Sequence, residues 1–174
     1  MKIAQRLTAG TRLAELINLI EDKHHAFTRA ELSRIAGLMD DPELASLPQL
    51  DDIRKCFAAL NDELESHLAK EENILFPYIA ALDDENASLP SACFDSLASP
   101  IRIMSIEHAS MIGNLETLRR LTSQYTPCAD NGPLTFLLFA SLAGLDDDLM
   151  EHMFWEDRVL FPRALQMERK RSGK

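Results

Sequence analysis

Two fifteen-residue segments, ELESHLAKEENILFP at 63–77 and DLMEHMFWEDRVLFP at 148–162, align without a gap. Six positions are identical, among them a histidine, a glutamate four residues later and a closing Leu-Phe-Pro; four more are conservative exchanges. The two histidines, His67 and His152, lie 85 residues apart, and His25 and His108 lie 83 apart. Two helical hairpins related by duplication or by a pseudo-two-fold axis leave this kind of recurrence in a chain. It limits the fold to paired, equivalent elements, each with one histidine at comparable depth.

Breakers show what those elements are. Residues 11–39 hold no proline, and Asp40, Asp41, Pro42 and Pro48 then mark a loop. A second periodic stretch covers about 49–83. Ser99-Pro100 reads as a helix start, with Ser99 as N-cap and Pro100 at the first helical position, and this third stretch runs to about 125. Turn residues from Pro127 to Pro133 lead into a fourth, about 134–165. Sustained alternation is absent and aromatic residues are only 6%, so strands are not expected. The expectation is an all-α, up-down-up-down four-helix bundle, one domain over 1–174.

Apolar residues at spacings of three and four trace the core face of each helix. Leu13, Ile17, Ile20, Phe27 and Ile35 form the first stripe, and Phe57, Leu60, Leu64, His67, Glu71, Ile74 and Tyr78 the second. Ile101, Met104, His108, Met111, Leu115 and Leu118 form the third; Leu138, Leu142, Leu145, Leu149, His152, Glu156 and Val159 form the fourth. Three stripes are interrupted by a histidine, and two also by a glutamate one turn later. An unpaired buried carboxylate costs several kcal/mol, a large share of a total stability of about 5–15 kcal/mol. A cation held jointly by imidazole nitrogen and carboxylate oxygen compensates it. His and Glu at i and i+4 share one face and reach one metal or a bridged pair. On the first helix, periodicity favours His24, whereas spacing from Leu32 favours His25.

An all-nitrogen-and-oxygen donor set disfavours structural zinc and iron–sulfur clusters. Two carboxylates and four imidazoles suit a pair of irons, with manganese as the alternative. The ferritin-type Glu-x-x-His step is missing; here the order is His-x-x-x-Glu. Zinc-protease, phosphate-loop and nucleophile-elbow motifs are absent. A net charge of −10 opposes a nucleic-acid partner, and the basic tail Arg169, Lys170, Arg171 and Lys174 reads as a solvated end. No apolar run approaches a membrane span or a signal peptide, and three cysteines without metal spacing suit a reducing compartment, so the expected location is the cytoplasm.

The segments His24-His25-Ala26-Phe27 with Arg29 to Leu32, His67 to Pro77, Pro100 to His108 with Gly113, and His152 to Glu156 with Val159 to Arg163 resemble the hemerythrin-like di-iron family. More narrowly, they resemble its members that repair iron–sulfur clusters after nitrosative or oxidative stress. The resemblance implies a carboxylate-bridged, non-haem di-iron centre with ligands His25, His67, His108 and His152, and with Glu71 and Glu156 as bridges. It also singles out Glu63 and Glu107 as residues that orient imidazoles or line a path for protons or iron. Repair members often carry a small cysteine-containing domain ahead of the bundle; Cys56, Cys93 and Cys128 do not reproduce its motif, and inert thiols are expected.

The function so implied is iron supply to, or repair of, damaged iron–sulfur clusters, with nitric oxide or dioxygen as small ligand and iron–sulfur proteins as partners. The alternative is capture or sensing of dioxygen or nitric oxide without turnover. Oxygen carriers of this fold use five histidines, whereas the fifth here, His24, adjoins His25. A third class is enzymatic reduction of nitric oxide or peroxide.

Overall fold

Each of three long helices changes pitch once, in the middle, and that change places the site. The computed structural model describes residues 10–84, 88–91 and 93–173. The first helix comprises Leu13–Ile20, a π turn Glu21–His25, and Ala26–Met39. The second is Leu50–Lys70, a π turn Glu71–Leu75, and Phe76–Ala81. The third, Ala98–Leu121, is α-helical throughout. The fourth is Pro133–Trp155, a π turn Glu156–Leu160, and Phe161–Ser172. A short 3₁₀ turn, Pro42–Ser46, joins the first two, started by Asp41, whose carboxylate accepts from the Glu43 amide at 2.9 Å. No strand occurs among the described residues.

The π turns have a local cause in two helices. Pro77 and Pro162 carry no N–H, and a proline ring presses on the carbonyl four residues back. The helix widens just before each: the Phe76 amide bonds the Glu71 carbonyl, and the Phe161 amide bonds the Glu156 carbonyl, both i to i−5. The first helix widens in the same way at Ala26 and Glu21, without a proline.

The second helix packs along the third and the first along the fourth, while the start of the first meets the end of the second. These helices form an all-α four-helix bundle. One of its ends is closed by two equivalent contacts. Asp83, just past the second helix, accepts from the amides of Leu13 and Ala14 at 3.1 and 2.8 Å. Glu168, 85 residues on in the fourth helix, accepts from the Leu97 amide at 2.9 Å at the start of the third. The third helix therefore begins at Ala98, capped from outside, and not with Ser99 as its cap. It ends at Leu121, earlier than expected, because Ser123, Gln124 and Tyr125 take left-handed φ of 50°, 60° and 55°. The fourth runs on to Ser172; Lys174 of the expected basic tail lies outside the described residues.

Two apolar clusters fill the interior. One gathers Ile35, Ile53, Leu60, Leu64, Leu115 and Leu145 with their neighbours. The other gathers Leu16, Ile20, Phe76, Ile79, Leu160 and Phe161. Between them lies a layer of buried histidine and glutamate.

The expected stripes hold up to the π turns and slip by one residue there, although Ile35 and Tyr78 further on are buried as expected. Ile74 is 44% exposed and Leu75 is buried in its place. Val159 gives way to Leu160, and Phe27 to Thr28. The third stripe, with no π turn, is buried as expected from Ile101 to Leu118.

Candidate metal centre

The polar layer is built from the five residues that interrupt the seams together with His25 of the first helix. His25, His67, Glu71, His108, His152 and Glu156 are each at most 2% exposed. Their donor atoms form two groups, His25–Glu71–His152–Glu156 and His67–Glu71–His108–Glu156, within each of which all lie within 4.8 Å of one another. Both glutamates belong to both groups. Glu71 sets Oε2 at 3.5 Å from His25 Nε2 and Oε1 at 3.4 Å from His67 Nε2. Glu156 sets Oε1 at 2.8 Å from His152 Nε2 and Oε2 at 3.2 Å from His108 Nε2. The imidazoles converge in pairs: Nε2 of His25 and His152 are 3.1 Å apart, and those of His67 and His108 are 3.2 Å apart.

All four rings turn Nε2 inward and Nδ1 outward. Three of the outward nitrogens meet carboxylates. His25 Nδ1 lies 2.7 Å from Glu72, His67 Nδ1 2.9 Å from Glu107, and His108 Nδ1 3.1 Å from Asp157. Glu72 is itself gripped by Arg29 through two bonds of 2.8 and 2.9 Å, and Glu107 by Lys70. Such partners fix the tautomer that leaves Nε2 free to bind a metal.

The layer fits a metal pair. Both oxygens of Glu71 and Oε2 of Glu156 are buried with no hydrogen-bond partner among the described residues. Two shared carboxylates and two imidazoles per group, with no thiol, form a donor set for two divalent ions. In the metal-free chain, imidazolium partly takes the place of that charge. Burial alone would lower the His25, His67 and His108 pKa values, but the carboxylates facing their nitrogens outweigh it and raise all three, Asp157 and Glu156 taking His108 to about 10. Burial would likewise raise Glu156, yet His152 and His108 hold it well below the usual carboxylate range.

The two ambiguous histidines are both buried, but only His25 enters the donor groups. His24 stacks flat on His152, with ring centroids 5.5 Å apart and an interplanar angle of 6°, and its Nδ1 lies 3.0 Å from Asp148. Glu107 touches a candidate ligand. Glu63 does not: it accepts from Ser110 at 2.9 Å and Asn114 at 3.0 Å. Both glutamates line a surface cavity of about 490 Å³ with Lys70 and Ile106. Sequence reasoning missed Glu72, Asp157 and Asp148. The repeat held the signal, since Glu72 and Asp157 occupy matching positions right after Glu71 and Glu156.

A family model described as hemerythrin HHE cation binding domain matches residues 16–164. The chain is 34% identical over 154 residues to the "Probable iron-sulfur cluster repair protein" of Haemophilus influenzae, covering 88% of this chain and 57% of that protein. It is 34% identical over 161 residues to the iron-sulfur cluster repair protein YtfE of Enterobacter sp. (strain 638), covering 90% and 68%. With YtfE of Dickeya chrysanthemi it shares 31% over 169 residues, covering 94% and 69%. The chain thus spans little more than half of the Haemophilus protein's length and about two thirds of the YtfE proteins'. No described helix is long and apolar enough to cross a membrane.

Proposed function

Since the chain belongs to the hemerythrin HHE cation binding domain family, we propose that it holds two non-haem irons, one in each His₂ pocket, bridged by Glu71 and Glu156. Its task is in nitrosative and oxidative stress, supplying iron to, or helping rebuild, damaged iron–sulfur clusters. The single observation that carries the reading is the sharing of both glutamates by both donor groups. The names of the relatives support the task.

Bound iron would supply the redox change and the open coordination positions that a diatomic ligand needs. The chain does the rest. Glu72, Glu107 and Asp157 orient three of the imidazoles, and the two apolar clusters keep bulk water away. Glu107, between His67 and the surface cavity, is placed to pass protons or iron outward. We place the protein in the cytoplasm, a reading that its three free cysteines support.

A second reading, reversible capture or sensing of nitric oxide or dioxygen, is favoured by the burial of the centre, which admits only small ligands. The absence of His24 from the donor groups weighs against a five-histidine oxygen store.

The deciding experiment measures iron content and absorption, then incubates the loaded protein with an enzyme whose cluster has been damaged by nitric oxide. Close to two irons per chain and recovery of the enzyme support repair. Reversible spectral change without recovery moves the assignment to sensing. A folded chain that takes up no iron overturns both.

A further inference from the structure

The pseudo-two-fold relation pairs His67 with His152, His108 with His25, Asp157 with Glu72, and Glu107 with His24. The outward nitrogens obey it with one exception. His25 and His108 meet the paired carboxylates Glu72 and Asp157. His67 meets Glu107, but at the corresponding place His152 finds an imidazole. His152 Nδ1 is buried without a hydrogen-bond partner among the described residues.

His24 cannot serve as the missing acceptor. An N–H donates in the plane of its ring, and the His24 ring lies parallel to that plane, 6° off, above the face of His152. Asp148 lies beside this ring, its Oδ2 3.0 Å from His24 Nδ1 but outside hydrogen-bond geometry. Its counterpart, Glu63, is occupied by Ser110 and Asn114, and Glu107 is left to His67.

We propose that the two metal pockets are unequal, the His25–His152 pocket binding its ion more weakly and releasing it first, because His24 stands where the other half places Glu107. The inference rests on the di-iron reading and deepens it, naming the iron available for delivery. A ligating imidazole whose outer N–H is held by a carboxylate is the better-oriented and more basic donor, and removing such a partner lowers metal affinity by roughly 10–100-fold. Both imidazoles of the His67–His108 pocket have that support. In the other pocket only His25 has it, from Glu72. His24 is thus a positioning residue, acting through His152.

The test is anaerobic titration of the metal-free chain with ferrous iron against a chromophoric chelator. The expected result is two steps with dissociation constants about 10–100-fold apart. Glu107→Gln should weaken the tight step and close the gap. His24→Glu combined with Asp148→Asn, which gives His152 an acceptor, should tighten the weak step, while His24→Phe, which keeps only the stack, should leave it unchanged. Should the double variant fail to fold, Glu107→Gln decides. Equal steps, or a gap that Glu107→Gln leaves intact, overturn this inference alone; no uptake in either step overturns the di-iron reading with it.

Discussion

Tyr125 donates a hydrogen bond to Asp146 at 2.7 Å, and Asp146 is only 3% exposed. Arg119 grips the same carboxylate with two nitrogens. Tyr125 ends a run of three left-handed residues, each of which costs roughly 1–2 kcal/mol for a side chain other than glycine. The clasp holds that turn against the fourth helix. Burial and the Asp146 anion push the Tyr125 phenol above its ordinary range, so it stays a donor in alkaline solution. Asp146→Ala should therefore destabilise the protein by about 3 kcal/mol, because it strands Arg119, and Tyr125→Phe by about 1 kcal/mol. Urea unfolding of both variants checks this; an Asp146→Ala midpoint equal to the parent's would refute the clasp.

Iron content separates His24 from the donor set. His152→Ala should lose about half of the bound iron or more, whereas His24→Ala should retain both ions when iron is saturating. Equal losses would show that His24 is a ligand. Glu156→Gln should keep the fold and change the magnetic coupling between the irons; uncoupled iron in the parent protein would count against a shared carboxylate.

Stability of the metal-free protein should depend on pH in the alkaline range. His108 titrates at about 10 in the folded chain against an ordinary 6.5. Burial opposes the charge, and the Asp157 and Glu156 carboxylates, 3.1 and 3.2 Å from its two nitrogens, more than offset it. The folded state thus binds this proton more tightly than the unfolded state does. The resulting stabilisation is complete below about pH 6.5 and is lost as pH rises through about 10. Thermal melts of the metal-free chain should move downward over that interval. Iron-loaded protein, with neutral ligating rings, should not show the same slope.

The two caps from neighbouring helices make a matched pair of tests. Asp83→Ala frees the amides of Leu13 and Ala14, and Glu168→Ala frees that of Leu97. Each should lower stability by about 1 kcal/mol, and the two losses should add, since they lie in different hairpins. A denaturation series on the single and double variants measures both quantities.

The fold was legible because the breakers and stripes are long and regular, and the interrupted stripes marked five of the six donor residues. Legibility failed wherever a helix changes pitch. Extrapolation at 3.6 residues per turn chose Phe27, Ile74 and Val159 for the core, and the structure buries Thr28, Leu75 and Leu160. The same slip explains the first-helix histidines. With an extra residue in the turn Glu21–His25, the seam position that periodicity assigned to His24 falls to His25. Pro77 and Pro162 were visible in the sequence, but read as the close of a motif and not as the cause of a widened turn. The outer contacts, such as Glu107 on His67 against His24 on His152, needed coordinates because they join residues from different helices.

Each widened turn behaves as one residue spliced into an otherwise ordinary helix. If one residue were excised from Glu71–Leu75, then Leu75, Ile79 and Leu82 would fall on the straight seam that already carries Leu60 and Leu64. Excision within Glu156–Leu160 would align Leu160 and Ala164 with Leu145 and Leu149 in the same way. Both apolar clusters could be built from unbroken α-helices, so the spliced residues serve only the layer between them. In such shortened chains, folding and metal binding should come apart as separable inheritances of one sequence.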